Sequence, residues 1–260
     1  MFGFIKRWRR DKIRQKPFPP AWVDILRKNM GLYPSLTAED QAELHRHIQV
    51  FTAEKYFEGC RGVEITDEIR VTIAGNACLL LLHRETDYFR ELLTILVYPS
   101  VFFVEHKEVD EHGFEMTEVM ENAGESWDRG NVIIAWDTAK RGALDPRDGL
   151  NVILHEFAHQ LDSEAGDVDG APEMESREQA EQWADVFRLE YKRLCDDVDS
   201  NIETLIDEYG ATNPAEFFAV CVETFFEKAH QLKEHHPKLY AALSRYFKQD
   251  PASWERTAAG

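Results

Sequence analysis

The sequence predicts an α+β fold, with helices towards the N-terminus, a small mixed sheet in the middle and a helical C-terminal half. Three observations predict it. Hydrophobic residues make up 43% of the 260 residues, enough for a sizeable core. Runs rich in β-branched and aromatic residues are confined to the stretch from about residue 92 to 136. After Asp145-Pro146, apolar residues recur at helical spacing almost to the end. Strands followed by helices, without regular alternation, indicate α+β and not a series of βαβ units.

Residues 1–16 are basic with scattered aromatics and lack both an apolar core and a small-residue cleavage site, so they read as a solvated tail and not as a secretion signal. Pro17 to Pro20 break the chain, and residues 17–58 read as helical. Within them, Thr37-Ala38-Glu39-Asp40 has the composition of a helix start ahead of Leu44, Ile48 and Phe51 at helical spacing. Val63-Glu64-Ile65 is a short strand candidate, and Thr66 is placed to cap a helix over 67–84. Residues 92–98 and 101–104 are β-rich runs split by Pro99-Ser100. Residues 114–121 alternate imperfectly, 124–130 read as a turn and 132–136 as a further strand. Helices follow at about 148–163, 174–195, 200–208, 214–228 and 235–247. The chain divides into the tail, a single domain over 17–250 and a C-terminal tail over 251–260.

Composition excludes several classes. A net charge of −18 argues against direct nucleic-acid binding, because phosphate contacts need clustered Lys and Arg. No apolar stretch approaches the ~20 residues that span a bilayer, so no membrane partner is expected. Cys60, Cys78, Cys195 and Cys221 form no CxxC pair, which fits reduced thiols and a cytoplasmic location.

The chemistry is concentrated in His155-Glu156-Phe157-Ala158-His159. Helical residues four apart share a face, so both imidazoles can reach one Zn²⁺ at about 2.0–2.1 Å, while Glu156 projects beside them as a general base. Val152, Ile153, Leu154, Phe157, Ala158 and Leu161 make this helix apolar nearly all round, hence buried. A catalytic zinc needs a third protein ligand. The pattern with a third His six residues on is excluded, because Ala165 stands there and Asp162 replaces the usual Gly. Two glutamates remain as candidates, Glu181 in a charged segment and Glu216 in Asn213-Pro214-Ala215-Glu216-Phe217-Phe218-Ala219-Val220. A carboxylate on an apolar helix requires a partner, which makes Glu216 the stronger candidate and leaves Glu181 as the alternative. Glu223 lies two turns further along the same face as Glu216. Asp162 is a candidate acceptor for a hydrogen bond from a ligand imidazole. By analogy with zincins, a peptide is expected to add as a strand along an exposed edge of 132–136.

These stretches, with Tyr209, Glu223-x-Phe225-Phe226, Gly124-Glu125-Ser126-Trp127 and the segment from Ile65 to Ala74, resemble the Mlc titration factor A family of zinc-dependent peptidases from about residue 20 to 250. The resemblance implies a zincin-like metallopeptidase fold of the gluzincin type, with a core similar to that of anthrax lethal factor. It implies one Zn²⁺ per chain held by His155, His159 and Glu216, Glu156 as general base, and Tyr209 facing the active site. It further implies a peptide or protein substrate, and an aminopeptidase or narrow-specificity protease activity. The alternative reading it carries is a regulatory protein that sequesters a transcriptional repressor.

Overall fold

Helix caps set the frame. In the computed structural model, which describes residues 2–109, 115–122, 124–125, 130–166 and 168–254 (backbone alone for 2, 102–109, 115–122 and 124–125), the Thr37 hydroxyl accepts the Asp40 N–H and Thr66 accepts the Ile69 N–H. Each satisfies a donor that the first helical turn leaves open. The chain runs α1 (Phe2–Arg14), α2 (Pro20–Asn29), α3 (Ala38–Glu54), β1 (Tyr56–Gly59), α4 (Asp67–Leu79), β2 (Thr94–Tyr98), β3 (Phe102–Val109), β4 (Glu115–Asn122), β5 (Gly124–Glu125) and β6 (Asn131–Ala135). It continues through α5 (Trp136–Leu144), α6 (Val152–Ser163), α7 (Arg177–Asp199), α8 (Pro214–Glu227), α9 (Ala229–His235) and α10 (Pro237–Phe247).

The sheet is small and mixed, in the order β1-β2-β6-β5. β1, β2 and β6 are parallel, with Tyr56 opposite Thr94 and Thr94 opposite Asn131, whereas β5 runs antiparallel to β6 with Gly124 opposite Ile134. β3 and β4 form a separate antiparallel ribbon between β2 and β5. α3 and α4 pack together, and α4 touches α6. Phe51, Phe57, Phe89 and Phe157 meet there, with Phe89 and Phe157 rings 4.9 Å apart, so the site helix is seated in the core by its own central phenylalanine. A second aromatic cluster of Trp183, Phe187, Phe217, Phe218 and Tyr246 joins α7, α8 and α10.

The α+β class holds, and several elements differ from expectation. The strand lies at Tyr56–Gly59, not at 63–65. Arg61 and Gly62 adopt left-handed φ values of 51° and 86°, folding 63–65 back over β1, so close that a Cβ on Gly59 would sit 1.8 Å from the Val63 carbonyl oxygen. α4 stops at Leu79, where tighter turns lead to His83 at φ 61°. Residues 200–208 are not a helix, because Asn201 at φ 52° ends the long α7 and only a short 3₁₀ turn, Glu208–Ala211, follows. Trp136 begins a helix instead of ending a strand. Within the expected N-terminal tail over 1–16, Phe2–Arg14 is helical and not a solvated tail, with Arg10 buried in ion pairs with Glu54 and Asp87, both at 2.7 Å. Pro251 is buried and the Trp254 ring lies 6.1 Å from Phe226, so the start of the expected C-terminal tail packs on the core; residues 255–260 lie outside those described. Phe114 of the alternating segment and positions 126–129 of the expected turn also lie outside them. Among the described residues no helix is long and apolar enough to cross a membrane.

Candidate metal centre

α6 and α8 build the site. Asn151 caps α6, its side-chain oxygen accepting the Leu154 N–H at 3.2 Å. Asn213 caps α8 by accepting the Glu216 N–H at 3.0 Å, with Pro214 at the first helical position. The cap therefore fixes the backbone of Glu216, and the apolar remainder of α8 fixes its rotation, with Phe217 and Phe218 buried in the α7–α8 aromatic cluster.

His155, His159 and Glu216 converge. His155 Nε2 lies 2.9 Å from Glu216 Oε2 and 3.2 Å from His159 Nε2, and His159 Nε2 lies 3.3 Å from the same carboxylate oxygen. Four ligands arranged tetrahedrally at about 2.0–2.1 Å from a zinc are about 3.3 Å from one another, so these three atoms already stand close to the edges of such a tetrahedron. Burial opposes charge on His155, yet hydrogen bonds to Glu216 and Glu223 outweigh it and hold the imidazole well above its usual pKa. Burial likewise opposes charge on Glu216, but hydrogen bonds from His155 and His159 hold it at about 2. Two imidazoles and one carboxylate, each offering one atom to the same point, are a donor set suitable for a divalent metal such as zinc.

Glu156 is 4% exposed and its Oε2 has no hydrogen-bond partner among the described residues. Burial raises its pKa. An unpartnered buried carboxylate oxygen costs about 1–3 kcal/mol, a cost that a water or ligand held at the site removes. Tyr209, on the 3₁₀ turn before α8, is 54% exposed with its ring 6.0 Å from that of His155, at the mouth of the site.

The second candidate carboxylate does not join them. Glu181 is 65% exposed on α7 and pairs with Arg177 at 2.9 Å. Nor does Asp162 serve a ligand imidazole: its Oδ2 accepts the Gly170 N–H at 2.7 Å, its Oδ1 has no hydrogen-bond partner among the described residues, and burial pushes its pKa to about 6. That role falls to Glu223, whose Oε1 accepts from His155 Nδ1 at 2.8 Å while its Oε2 accepts the Asn151 N–H. The Asn151 amide also donates to Glu227 at 3.0 Å and to Asn76 at 3.2 Å, extending the network from α8 through the α6 cap to α4. Sequence reasoning placed Glu223 on the Glu216 face without assigning it a partner; the seven-residue spacing was the signal. β2 flanks β6 along one side, and β5 pairs with Ile133 and Ile134 on the other; β5, which borders α6, is the outer strand among the described residues.

A family model described as glucose-regulated metallo-peptidase M90 matches residues 5–248. The chain is 41% identical over 245 residues to the uncharacterized protein slr2042 of Synechocystis sp., covering 94% of this chain and 89% of that one. It is 31% identical over 260 residues to Mlc titration factor A of Salmonella gallinarum and 30% identical to that of Salmonella typhi, in each case covering 97% of this chain and 94% of the relative.

Proposed function

This chain belongs to the glucose-regulated metallo-peptidase M90 family, a family that implies a bound metal and a zincin-like fold, and on that premise we propose that it hydrolyses peptide bonds at a zinc ion held by His155, His159 and Glu216. The observation that carries the reading is the convergence of three donor atoms from two helices beside the buried Glu156 carboxylate, whose Oε2 has no hydrogen-bond partner among the described residues. When bound, zinc supplies Lewis-acid polarisation and lowers the pKa of water towards about 7.

Glu156 acts as general base, taking a proton from the attacking water and delivering it to the leaving amine. Tyr209 serves as donor to the oxyanion from the rim, a contribution typically of about 2.7–4 kcal/mol for one such donor. Glu223 holds the His155 ring by its Nδ1 proton, keeping Nε2 directed at the metal position. A peptide substrate would add along β5, beside α6, through main-chain hydrogen bonds.

The test is Glu156→Gln. Chelator-sensitive hydrolysis of aminoacyl and peptide reporters should fall by about 10²–10⁴-fold while bound zinc stays at one per chain. Full activity in the variant would overturn the base assignment.

The Salmonella relatives are named for titrating Mlc, which favours a second reading in which this chain binds and titrates a repressor protein. Such binding does not require Glu156. A wild-type protein that retains zinc, hydrolyses no reporter and captures a repressor equally well with and without Glu156→Gln would replace the peptidase reading with this one.

A further inference from the structure

α1 has two faces, and the fold uses only one. Arg10 is buried between Glu54 and Asp87, Arg14 donates to the Tyr88 hydroxyl at 3.0 Å, and Ile13 packs against the core. On the opposite side stand Phe4, Ile5 and Trp8, which are 77%, 55% and 53% exposed. At about 100° per residue these three side chains fall within an arc of about 100° turned away from Arg10. Lys12 lies in the same arc with its ammonium 3.7 Å above the Trp8 ring, and Arg7 and Arg9 border it on either side. Neither Arg7 nor Arg9 has an ion-pair partner among the described residues, and Asp11 is the one acid on this helix. In a chain of net charge −18, α1 carries six basic residues.

Three large apolar side chains clustered on one solvent face mark a surface that something covers. Its charge complements an anionic partner. The three side chains stand on one single helix, a convex element, which suits a planar, deformable interface better than a rigid protein pocket. A second copy of the chain would bring Arg7, Arg9 and Lys12 against the same three cations. An apolar stripe bordered by Lys and Arg, on a helix too short to span a bilayer, is the composition of a helix that lies in a lipid interface.

We propose that α1 docks this protein flat on an anionic lipid surface, with Phe4, Ile5 and Trp8 inserted at the headgroup boundary and Arg7, Arg9 and Lys12 facing the headgroups. The acidic body, tied to α1 through Arg10, faces away from the lipid. This departs from the expectation that the chain has no membrane partner, which rested on the absence of a spanning segment and on a solvated N-terminal tail. It is independent of the peptidase reading, since α1 supplies no residue to the metal centre.

Sedimentation of the full chain with vesicles tests it. The protein should pellet with phosphatidylcholine vesicles containing phosphatidylglycerol, not with phosphatidylcholine alone, and salt should weaken the binding. Arg7→Gln with Arg9→Gln should lower partitioning about fivefold per charge. Phe4→Ser, Ile5→Ser and Trp8→Ser together should lower it by about tenfold or more. Both variants keep Arg10 and should retain the wild-type melting temperature. No binding to the anionic vesicles, equal binding to both compositions, or binding untouched by either variant would overturn the proposal. A dimer in lipid-free solution that the triple serine variant dissociates would overturn it in favour of a contact between copies.

Discussion

α7 and α8 are both rich in acidic residues, and they treat them in opposite ways. On α7, Glu181 and Asp196 lie in solvent and pair along the helix with Arg177 at 2.9 Å and Lys192 at 2.5 Å. Exposed pairs of this spacing contribute about 0.3–0.5 kcal/mol each. On α8, Glu216, Glu223 and Glu227 are set among phenylalanines, and each finds its partner across the interface, on α6 or its cap. Even α7 follows the second pattern where it turns inward: Glu190 is buried and pairs with His236 at 2.7 Å. A glutamate's role follows from how much water it has lost. Where water is gone, the glutamates of these two helices take a partner across the interface, and at α8 those partners include His155 and His159 of the candidate metal centre.

The sharpest way to break this comparison is to exchange the roles of the two helices. Glu216→Gln should leave the purified protein without stoichiometric zinc and reduce hydrolysis to the level of the chelated wild type, as read by elemental analysis beside a reporter assay. One step outward, Glu223→Gln should lower zinc affinity by about 10–100-fold, measured by competition with a chelating dye, because the His155 ring loses the acceptor that orients it. The smallest effect belongs to α7. Glu181→Gln should keep zinc and activity and change unfolding free energy by less than about 0.5 kcal/mol in a denaturant titration. Loss of zinc in that variant would reverse the assignment of the third carboxylate.

What could be read before the structure follows the same physics. His155 and His159 announce themselves through a local spacing, and Glu216 through its improbable place in an apolar helix. Thr37 and Thr66 cap as their sequence context predicts, since capping is an interaction within one turn. Glu223 was visible as a residue on the correct face, but its acceptance of the His155 proton depends on how α8 crosses α6. Asp162, three residues from His159, is a candidate acceptor by its place in the sequence; its carboxylate turns instead to the Gly170 N–H. The strand at Tyr56–Gly59 was hidden by the helical pattern before it, and two left-handed residues, Arg61 and Gly62, decided the matter. The helix at Phe2–Arg14 was missed because its anchor, Arg10, is held by Glu54 and Asp87, far along the chain.

Gly170 links three helices at the candidate metal centre and its flank: its N–H is taken by Asp162 at the end of α6, its carbonyl oxygen accepts from Trp183 Nε1 of α7 at 3.0 Å, and its Cα passes so near the start of α8 that a Cβ would lie 2.4 Å from the Pro214 carbonyl oxygen. Pro214 is two residues before Glu216, so this close passage helps set where the carboxylate arrives. During synthesis, a nascent chain that ends at α6 has both imidazoles and no Glu216. The donor set closes only after the ribosome has released the segment beyond residue 216 and α8 has settled against Gly170. A protein built in this order carries its converging donor atoms in two separate halves while it is being made, and joins them only once it is a finished fold.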